Sequence, residues 1–99
     1  MAKLRWSPEA YERTENIKKY IEKESPSAAL QFAKGILEQV ENIAAFPNIG
    51  KSAYSVTYPN LRMFVWGNYK IYYEFKSGKD VVEIWGVWDA RSMMEVRKK

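Results

Sequence analysis

The stretch FPNIG, residues 46–50, divides this 99-residue chain into two parts with different hydrophobic patterns. Before it, apolar residues recur at the 3.6-residue period of an amphipathic helix, and after it they alternate at the period of two that is typical of strands. Proline cannot continue a helix and glycine commonly follows a helix end, so the stretch itself predicts where the helical part stops. The change of period predicts an α+β fold, with helices packed on one face of a sheet.

Two helices are predicted before this stretch, over residues 8–24 and 26–45. Ser7 and Ser25 can each cap a helix N-terminus, and each is followed by a proline, which favours the first helical turn. The predicted buried positions are Ala10, Thr14, Ile17, Tyr20 and Ile21 in the first helix and Ala29, Phe32, Ala33, Ile36, Val40 and Ile43 in the second. Because only Ser25 separates the two helices, they are expected to form an antiparallel hairpin.

Strands are predicted on both sides of the hairpin. Residues 2–6 alternate between polar and apolar, and after a loop that runs to about residue 60 a three-stranded antiparallel meander is predicted at 61–65, 69–75 and 81–87. Turns are expected at 66–68 and 77–80, and in the last strand residues 82, 84, 86 and 88 are expected to share one face. The predicted order is β-α-α-β-β-β with an antiparallel sheet, in a single domain over residues 1–99.

The composition excludes several kinds of site. The chain has neither cysteine nor histidine, so disulfides, thiolate zinc sites, histidine-ligated metals and Ser-His or Cys-His nucleophiles are excluded. Any catalysis would depend on Lys, Arg, Tyr or carboxylates, and no cofactor or metal is expected. No apolar run approaches the ~20 residues of a membrane-spanning helix, so a cytoplasmic protein without a membrane partner is expected.

Positive charge is concentrated in the second half of the chain. Sixteen Lys and Arg against twelve Asp and Glu give a net charge of +4, and residues 1–50 carry seven of each sign. The whole excess therefore lies in residues 51–99, with nine basic and five acidic residues. Such an excess favours a polyanionic or acidic partner, whereas simple solubility is the other explanation.

An ordered set of motifs narrows the family. The motifs are SPEA at 7–10, SPSAA at 25–29, FPNIG at 46–50, LR at 61–62, YKIYYE at 69–74 and VEIWGVWDAR at 82–91. This succession resembles toxins of the RelE/ParE superfamily of bacterial type II toxin–antitoxin modules, over residues 4–91. The resemblance implies the superfamily's fold, a plasmid-stabilisation type of system and an acidic cognate antitoxin that is encoded adjacently.

The resemblance leaves two targets open. RelE-like members cleave messenger RNA on the ribosome with Lys and Arg groups and often a Tyr near the C-terminus, and ParE-like members act on DNA gyrase. Arg62, Lys70 and Arg91 stand at family-like basic positions and would be catalytic only in the RNA-cleaving alternative. No Tyr follows Tyr73, and Trp88 stands where a His is usual, so the ParE-like branch is favoured. A non-toxic binding module on the same fold is the second alternative.

The chemistry of RNA cleavage supports this preference. Attack by the 2′-hydroxyl needs a base, stabilisation of the developing negative charge and an acid for the leaving oxygen. Arginine stays protonated and is a poor base, which leaves Lys70 with a strongly lowered pKa, or Lys51, Tyr69, Tyr72 or Glu74. Arg62 and Lys70 could also be solvated residues of a free sheet face that limit aggregation.

The aromatic residues are candidates for a partner surface. A domain of this size cannot bury four Trp and seven Tyr completely. Trp66, Trp85 and Trp88, with Arg62 and Arg91, are therefore predicted to bind the target or the antitoxin. An antitoxin segment is expected to cover exposed aromatic surface around Trp66 and Trp85 and to bring acidic residues to the basic half.

Overall fold

The computed structural model describes residues 1–53 and 56–90 and confirms the α+β architecture. Its elements in chain order are β1 (Lys3–Trp6), α1 (Pro8–Glu22), α2 (Pro26–Ala45), β2 (Lys51–Ser52), β3 (Leu61–Trp66), β4 (Tyr69–Lys76) and β5 (Val81–Asp89). A helical hairpin lies between the first strand and the rest of the sheet in sequence, as the pattern predicts. No helix in the described ranges is long and apolar enough to cross a membrane.

Both helices begin at the predicted serine caps. Ser7 Oγ accepts a hydrogen bond from the Ala10 amide at 3.0 Å, and Ser25 Oγ accepts one from the Ala28 amide at 3.1 Å. The predicted bounds of α2 are confirmed, whereas α1 ends at Glu22, two residues early. The apolar stripe of α2 is buried apart from the half-buried Ala33. Tyr20 is 70% exposed, so the prediction that it widens the stripe of α1 is wrong.

The sheet has five strands in the order β1-β5-β4-β3-β2 and is mixed. The meander β3-β4-β5 is antiparallel as predicted, but β1 pairs in parallel with β5, from Lys3 opposite Val81 to Trp6 opposite Ile84. Parallel neighbours cannot be joined by a tight turn, and here both helices and the strands β2, β3 and β4 lie between β1 and β5 in the chain. The two-residue strand β2 lies in the segment predicted as a loop, because two residues are too few for a recognisable period.

A β-bulge in β5 changes which residues face the helices. Tyr72 is opposite Gly86 and Tyr73 is opposite Ile84, so Trp85 is an extra residue in β5. Beyond the bulge it is Val87 that joins the core under the helices, and Trp88 packs on the other side of the sheet. The predicted grouping of residue 88 with 82 and 84 on one face is therefore wrong.

The two faces of the sheet carry separate apolar clusters. The helix face packs against the hairpin and forms the main core with Phe32, Ile36, Val40, Ile43, Ile71, Tyr73, Val82, Ile84 and Val87. The open face carries a smaller cluster of Leu61, Tyr72 and Trp88, with Ala53, Tyr58, Met63 and Trp85 packed around it. Tyr58 belongs to the loop before β3, so this loop covers part of the open face.

Candidate functional site

The strand register places Arg62 and Lys70 on opposite faces of the sheet. Arg62 is opposite Tyr73, which lies in the core of the helix face. Lys70 is opposite Val65 and Trp88, and Trp88 belongs to the open face. Directly opposed residues of neighbouring strands share a face, so the prediction that Arg62 and Lys70 both lie on a free face is wrong for Arg62.

The predicted basic set is thus not assembled in the part of the chain that the structure describes. Arg62 and Lys70 cannot act together on one phosphate from opposite sides of a sheet. Arg91, the third member, lies outside the described residues. Lys70, on the open face, stays a candidate without Arg62 beside it.

Arg62 holds the turn that ends the helical part of the chain. Its Nη1 donates to the backbone carbonyl of Gly50 at 2.5 Å and, more weakly, to that of Asn48 at 3.4 Å. The FPNIG stretch is therefore fastened to β3 by a side chain from the sheet. Hydrogen bonds from a charged donor are among the stronger ones in proteins, so this contact fixes the position of the turn.

Tyr73 completes the attachment of the same turn. Its hydroxyl accepts a hydrogen bond from the Gly50 amide at 2.9 Å and donates one to the Pro47 carbonyl at 2.7 Å, and the side chain is fully buried. Burial raises the pKa of Tyr73, although the Gly50 hydrogen bond and the charge of Arg62 both lower it. The net increase keeps the phenol neutral at physiological pH, so Tyr73 is a structural group and not a ready base.

A small polar pocket opens beside Arg62. It has a volume of about 160 Å³. Its lining residues are Asn48, Ser52, Pro59, Asn60, Leu61, Arg62 and Phe75. The pocket lies where the FPNIG turn meets β2 and β3, at the edge of the sheet that β2 forms. Among the described residues of this lining, Arg62 is the only cation.

Lys70 lies in mostly apolar surroundings on the open face. Tyr72 and Trp88 meet edge to face with their ring centroids 5.2 Å apart, and Tyr58 and Trp85 do so at 4.4 Å. The Arg13 guanidinium lies over the Trp88 ring, 4.2 Å from its centroid, and Trp88 is only 9% exposed. The indole N–H of Trp88 is buried and has no hydrogen-bond partner among residues 1–53 and 56–90. The strand register also places Tyr72 and Glu74, two of the candidate bases, on this face with Lys70.

The three candidate tryptophans do not form one surface. Trp66 lies on the helix face, with its ring centroid 6.3 Å from that of Phe32 and 6.1 Å from that of Tyr69. Trp85 packs with the cluster of the open face. The sheet separates Trp66 from Trp85, so an antitoxin segment that covers both would have to pass around the sheet, and this expectation stays a prediction.

An apolar groove between the two helices was not predicted. This hairpin groove has a volume of about 580 Å³, and its apolar lining includes Trp6, Tyr11, Phe32, Ala33, Ile36 and Leu37. Tyr11 and Leu37 are 61% and 58% exposed, and Leu30, two turns before Leu37 on α2, is 68% exposed. Leu30 and Leu37 lie seven residues apart outside the buried stripe, which is the signal by which the sequence could have revealed this surface.

The described residues include no group of three or more Asp or Glu side chains placed to hold a metal ion. The chain has no His or Cys that could supply other ligands. The functional candidates are therefore the Arg62 pocket, the open face around Lys70 and the hairpin groove.

Comparison with known proteins gives one family and a shared fold. The model of the family described as the ParE toxin of the type II toxin–antitoxin system parDE matches residues 4–94. The crystal structure of the isolated E. coli RelE toxin is similar with a TM-score of 0.57 at 18% identity, covering 99% of this chain and 93% of that chain. The free E. coli RelE toxin with two arginine-to-alanine substitutions gives a TM-score of 0.58 at 20% identity and the same coverage. At these identities the two structures show the fold alone. No curated protein sequence matches.

Proposed function

The chain belongs to the ParE toxin family of type II toxin–antitoxin systems, and we propose that it is a cytoplasmic toxin that acts on DNA gyrase rather than on messenger RNA. Membership in the family implies an antitoxin as its partner. The observation that carries the choice of target is the separation of Arg62 and Lys70 by the sheet.

The separation weakens the RNA-cleaving alternative because that reaction needs several groups around one phosphate. Stabilising the developing charge and moving two protons each require a side chain within hydrogen-bond reach of the reacting atoms. Arg62 instead donates from its Nη1 to backbone carbonyls of the FPNIG turn. Lys70 lies on the other face, opposite Val65 and Trp88, and the candidate bases Tyr72 and Glu74 of its own strand share that face without Arg62.

The surface of the chain suits recognition of a protein better than catalysis. The hairpin groove exposes Tyr11 and Leu37 over an apolar floor, and the open face carries Trp85 and Tyr58. Partly exposed aromatic and aliphatic groups of this kind are typical anchors of protein interfaces. A gyrase-directed toxin needs such a surface and no acid–base set of its own.

Two assays on one preparation test the proposal. Purified protein is added to translating ribosomes, with mapping of new RNA 5′ ends, and to gyrase in supercoiling and DNA-cleavage reactions. We expect altered gyrase activity and no new RNA ends. Codon-linked cuts that disappear in Lys70→Ala, while the variant keeps its melting temperature, would overturn the gyrase target and establish the nuclease.

Expression in cells separates a third outcome. Gyrase poisoning should produce filaments and a DNA-damage response, whereas RNA cleavage should stop protein synthesis at once. Normal growth together with no effect in either purified assay would show that the fold serves here as a non-toxic binding module.

A further inference from the structure

Arg62 has a hydrogen-bonding edge that the fold does not use. A guanidinium carries five N–H donors, and in Arg62 the two recorded hydrogen bonds both come from Nη1. Within the described ranges, Nε and Nη2 have no hydrogen-bond partner. The N–H bonds of Nε and Nη2 point in the same direction, and this pair is the fork that receives a carboxylate side-on.

The charge of Arg62 also lacks a counter-ion among the described residues. No described carboxylate lies within ion-pair distance of it. The side chain is half-buried beside the fully buried Tyr73. A cation that is partly removed from water without an opposite charge is unfavourable, so an anion bound here would gain more than at an exposed arginine.

The pocket beside Arg62 has the size and lining for one small anionic group. Its volume of about 160 Å³ exceeds that of a carboxylate with its methylene stem, and the polar residues Asn48, Ser52 and Asn60 are among those that line it. The exposed surface of the lining is mostly polar, which suits the carboxylate group itself. The edge strand β2 adjoins the pocket, which leaves an approach for an extended segment of another chain.

We propose that the Arg62 pocket binds one acidic side chain of a protein partner, with the carboxylate held side-on by Nε and Nη2. A protein carboxylate is favoured over a nucleic-acid phosphate because the described lining residues contain a single cation, whereas a nucleic-acid backbone is normally followed by several. The inference rests on the proposed function only in naming the antitoxin as the supplier of the acidic residue.

A titration with a small probe tests the site without any partner. The ¹⁵N-labelled full chain is titrated with N-acetylglutamate N-methylamide while the side-chain Nε–H signals of Arg62 and of the exposed Arg5 are followed. We expect a saturable shift at Arg62 and a much smaller one at Arg5. Equal, non-saturating shifts at both arginines would overturn the proposal.

Two further arms separate the sources of the anion. Inorganic phosphate and a short single-stranded RNA are titrated in the same way, and both are expected to shift Arg62 less than the glutamate probe does at equal concentration. A larger effect of the RNA would overturn the assignment to a protein carboxylate and identify a nucleic-acid contact instead.

A variant pair tests the fork itself. Arg62→Lys keeps the charge and loses the fork, and Arg5→Lys is the matched exposed control. Because lysine has no Nε–H group, the side-chain amide signal of Asn60, a lining residue of the pocket, is followed in this pair. We expect the glutamate probe to shift this signal saturably in the original chain and in Arg5→Lys but not in Arg62→Lys. Arg62→Lys should also weaken binding of the cognate antitoxin at least tenfold, with no change in Arg5→Lys. Unchanged antitoxin binding in a folded Arg62→Lys would overturn the proposal.

The outcomes of these tests are independent of the gyrase assays. The probe titration needs neither gyrase nor ribosomes, so a positive titration with no effect on gyrase would reject only the proposed target. If Arg62→Lys fails to fold because it loses the Gly50 contact, the titration of the unmodified chain still tests whether the Arg62 pocket binds a carboxylate.

Discussion

At the scale of single residues, the attachment of the FPNIG turn depends on two side chains of the sheet. Tyr73 satisfies both the Gly50 amide and the Pro47 carbonyl, and Arg62 binds the Gly50 carbonyl from the neighbouring strand. The turn holds Phe46 and Ile49 at the surface, where they are 66% and 45% exposed. Two buried or half-buried polar groups thus decide the position of an exposed apolar turn.

Removing the Tyr73 hydroxyl should destabilise the fold. Tyr73→Phe leaves the Gly50 amide without its buried partner, and an unsatisfied buried group costs about 1–3 kcal/mol in the free energy of unfolding. Urea unfolding of the variant measures this loss. The control is Tyr20→Phe, whose side chain is 70% exposed and should change stability little. Equal stability of the two variants would contradict the structural role of Tyr73.

The same residue predicts how stability changes at high pH. The folded-state pKa of Tyr73 is raised, mainly by burial, above the value of about 10 expected in the unfolded chain. The unfolded state therefore loses its proton first, and the stabilisation present below pH ~10 is lost as the pH rises through the folded-state pKa. Unfolding curves at several pH values above 9 should fall more steeply for the original chain than for Tyr73→Phe. Parallel curves would contradict this assignment.

The buried stripe of α2 gives a second prediction at this scale. Phe32 and Ile36 are 4% and 2% exposed, so Phe32→Ala and Ile36→Ala should each destabilise by about 2–5 kcal/mol. For a domain of this size that lowers the melting temperature by roughly 8 °C or more. Leu37→Ala, on the exposed side of the same helix, is the control and should shift it only slightly. Similar losses of stability in all three variants would show that the buried face of α2 is assigned wrongly.

At the scale of elements, α2 approaches β3 closely at one point. Gly35 is buried on α2, and a Cβ at this position would overlap the indole of Trp66. Trp66 also packs against Phe32, so its ring has little room to move away. Helix–sheet packing therefore explains why glycine stands in the middle of α2, although glycine has a lower helix propensity than alanine.

This contact predicts the effect of adding one methyl group. Gly35→Ala should destabilise by about 1–3 kcal/mol, despite alanine's better helix propensity, because the core is overpacked. Thermal melts measure the change. In the Trp66→Ala background, where the indole is absent, the same substitution should become neutral or stabilising. A destabilisation that is equal in both backgrounds would assign the effect to something other than Trp66.

At the scale of the whole molecule, charge and apolar surface are distributed differently. The hairpin groove supplies apolar anchors, while the excess of basic residues lies in residues 51–99. An acidic antitoxin that contacts both would combine short-range apolar burial with long-range attraction. The first contribution mainly slows dissociation, and the second mainly speeds association.

The salt dependence of antitoxin binding tests this division. Raising the salt concentration should slow association, because the attraction is screened over about 10 Å at 0.1 M, and leave dissociation nearly unchanged. Stopped-flow or surface-based kinetics at several salt concentrations measure both rates. Association that does not respond to salt would show that the charge excess serves only solubility.

The positions of both helices and of the meander strands follow from local sequence. Serine–proline caps, the 3.6-residue stripe and the FPNIG stop are signals carried by neighbouring residues, and α2 begins and ends where they predict. The exclusion of histidine and cysteine chemistry is also a property of the sequence alone. The family resemblance, confirmed by the match over residues 4–94, rests on the order of these same local motifs.

The tertiary structure alone decided the faces on which the candidate residues lie. A three-residue turn at 66–68 would set Arg62 opposite residue 72 on the open face, but Trp66 pairs with Tyr69 and leaves a two-residue turn, with Gly67 at a φ of +57°. This one-residue difference moves Arg62 to the helix face beside Tyr73. The bulge at Trp85 likewise transfers Trp88 to the open face. Successive side chains of a strand point to opposite faces of the sheet, so a shift of one residue in strand pairing moves a side chain to the other face. That pairing depends on contacts between residues far apart in the sequence, and the local pattern therefore does not determine the face.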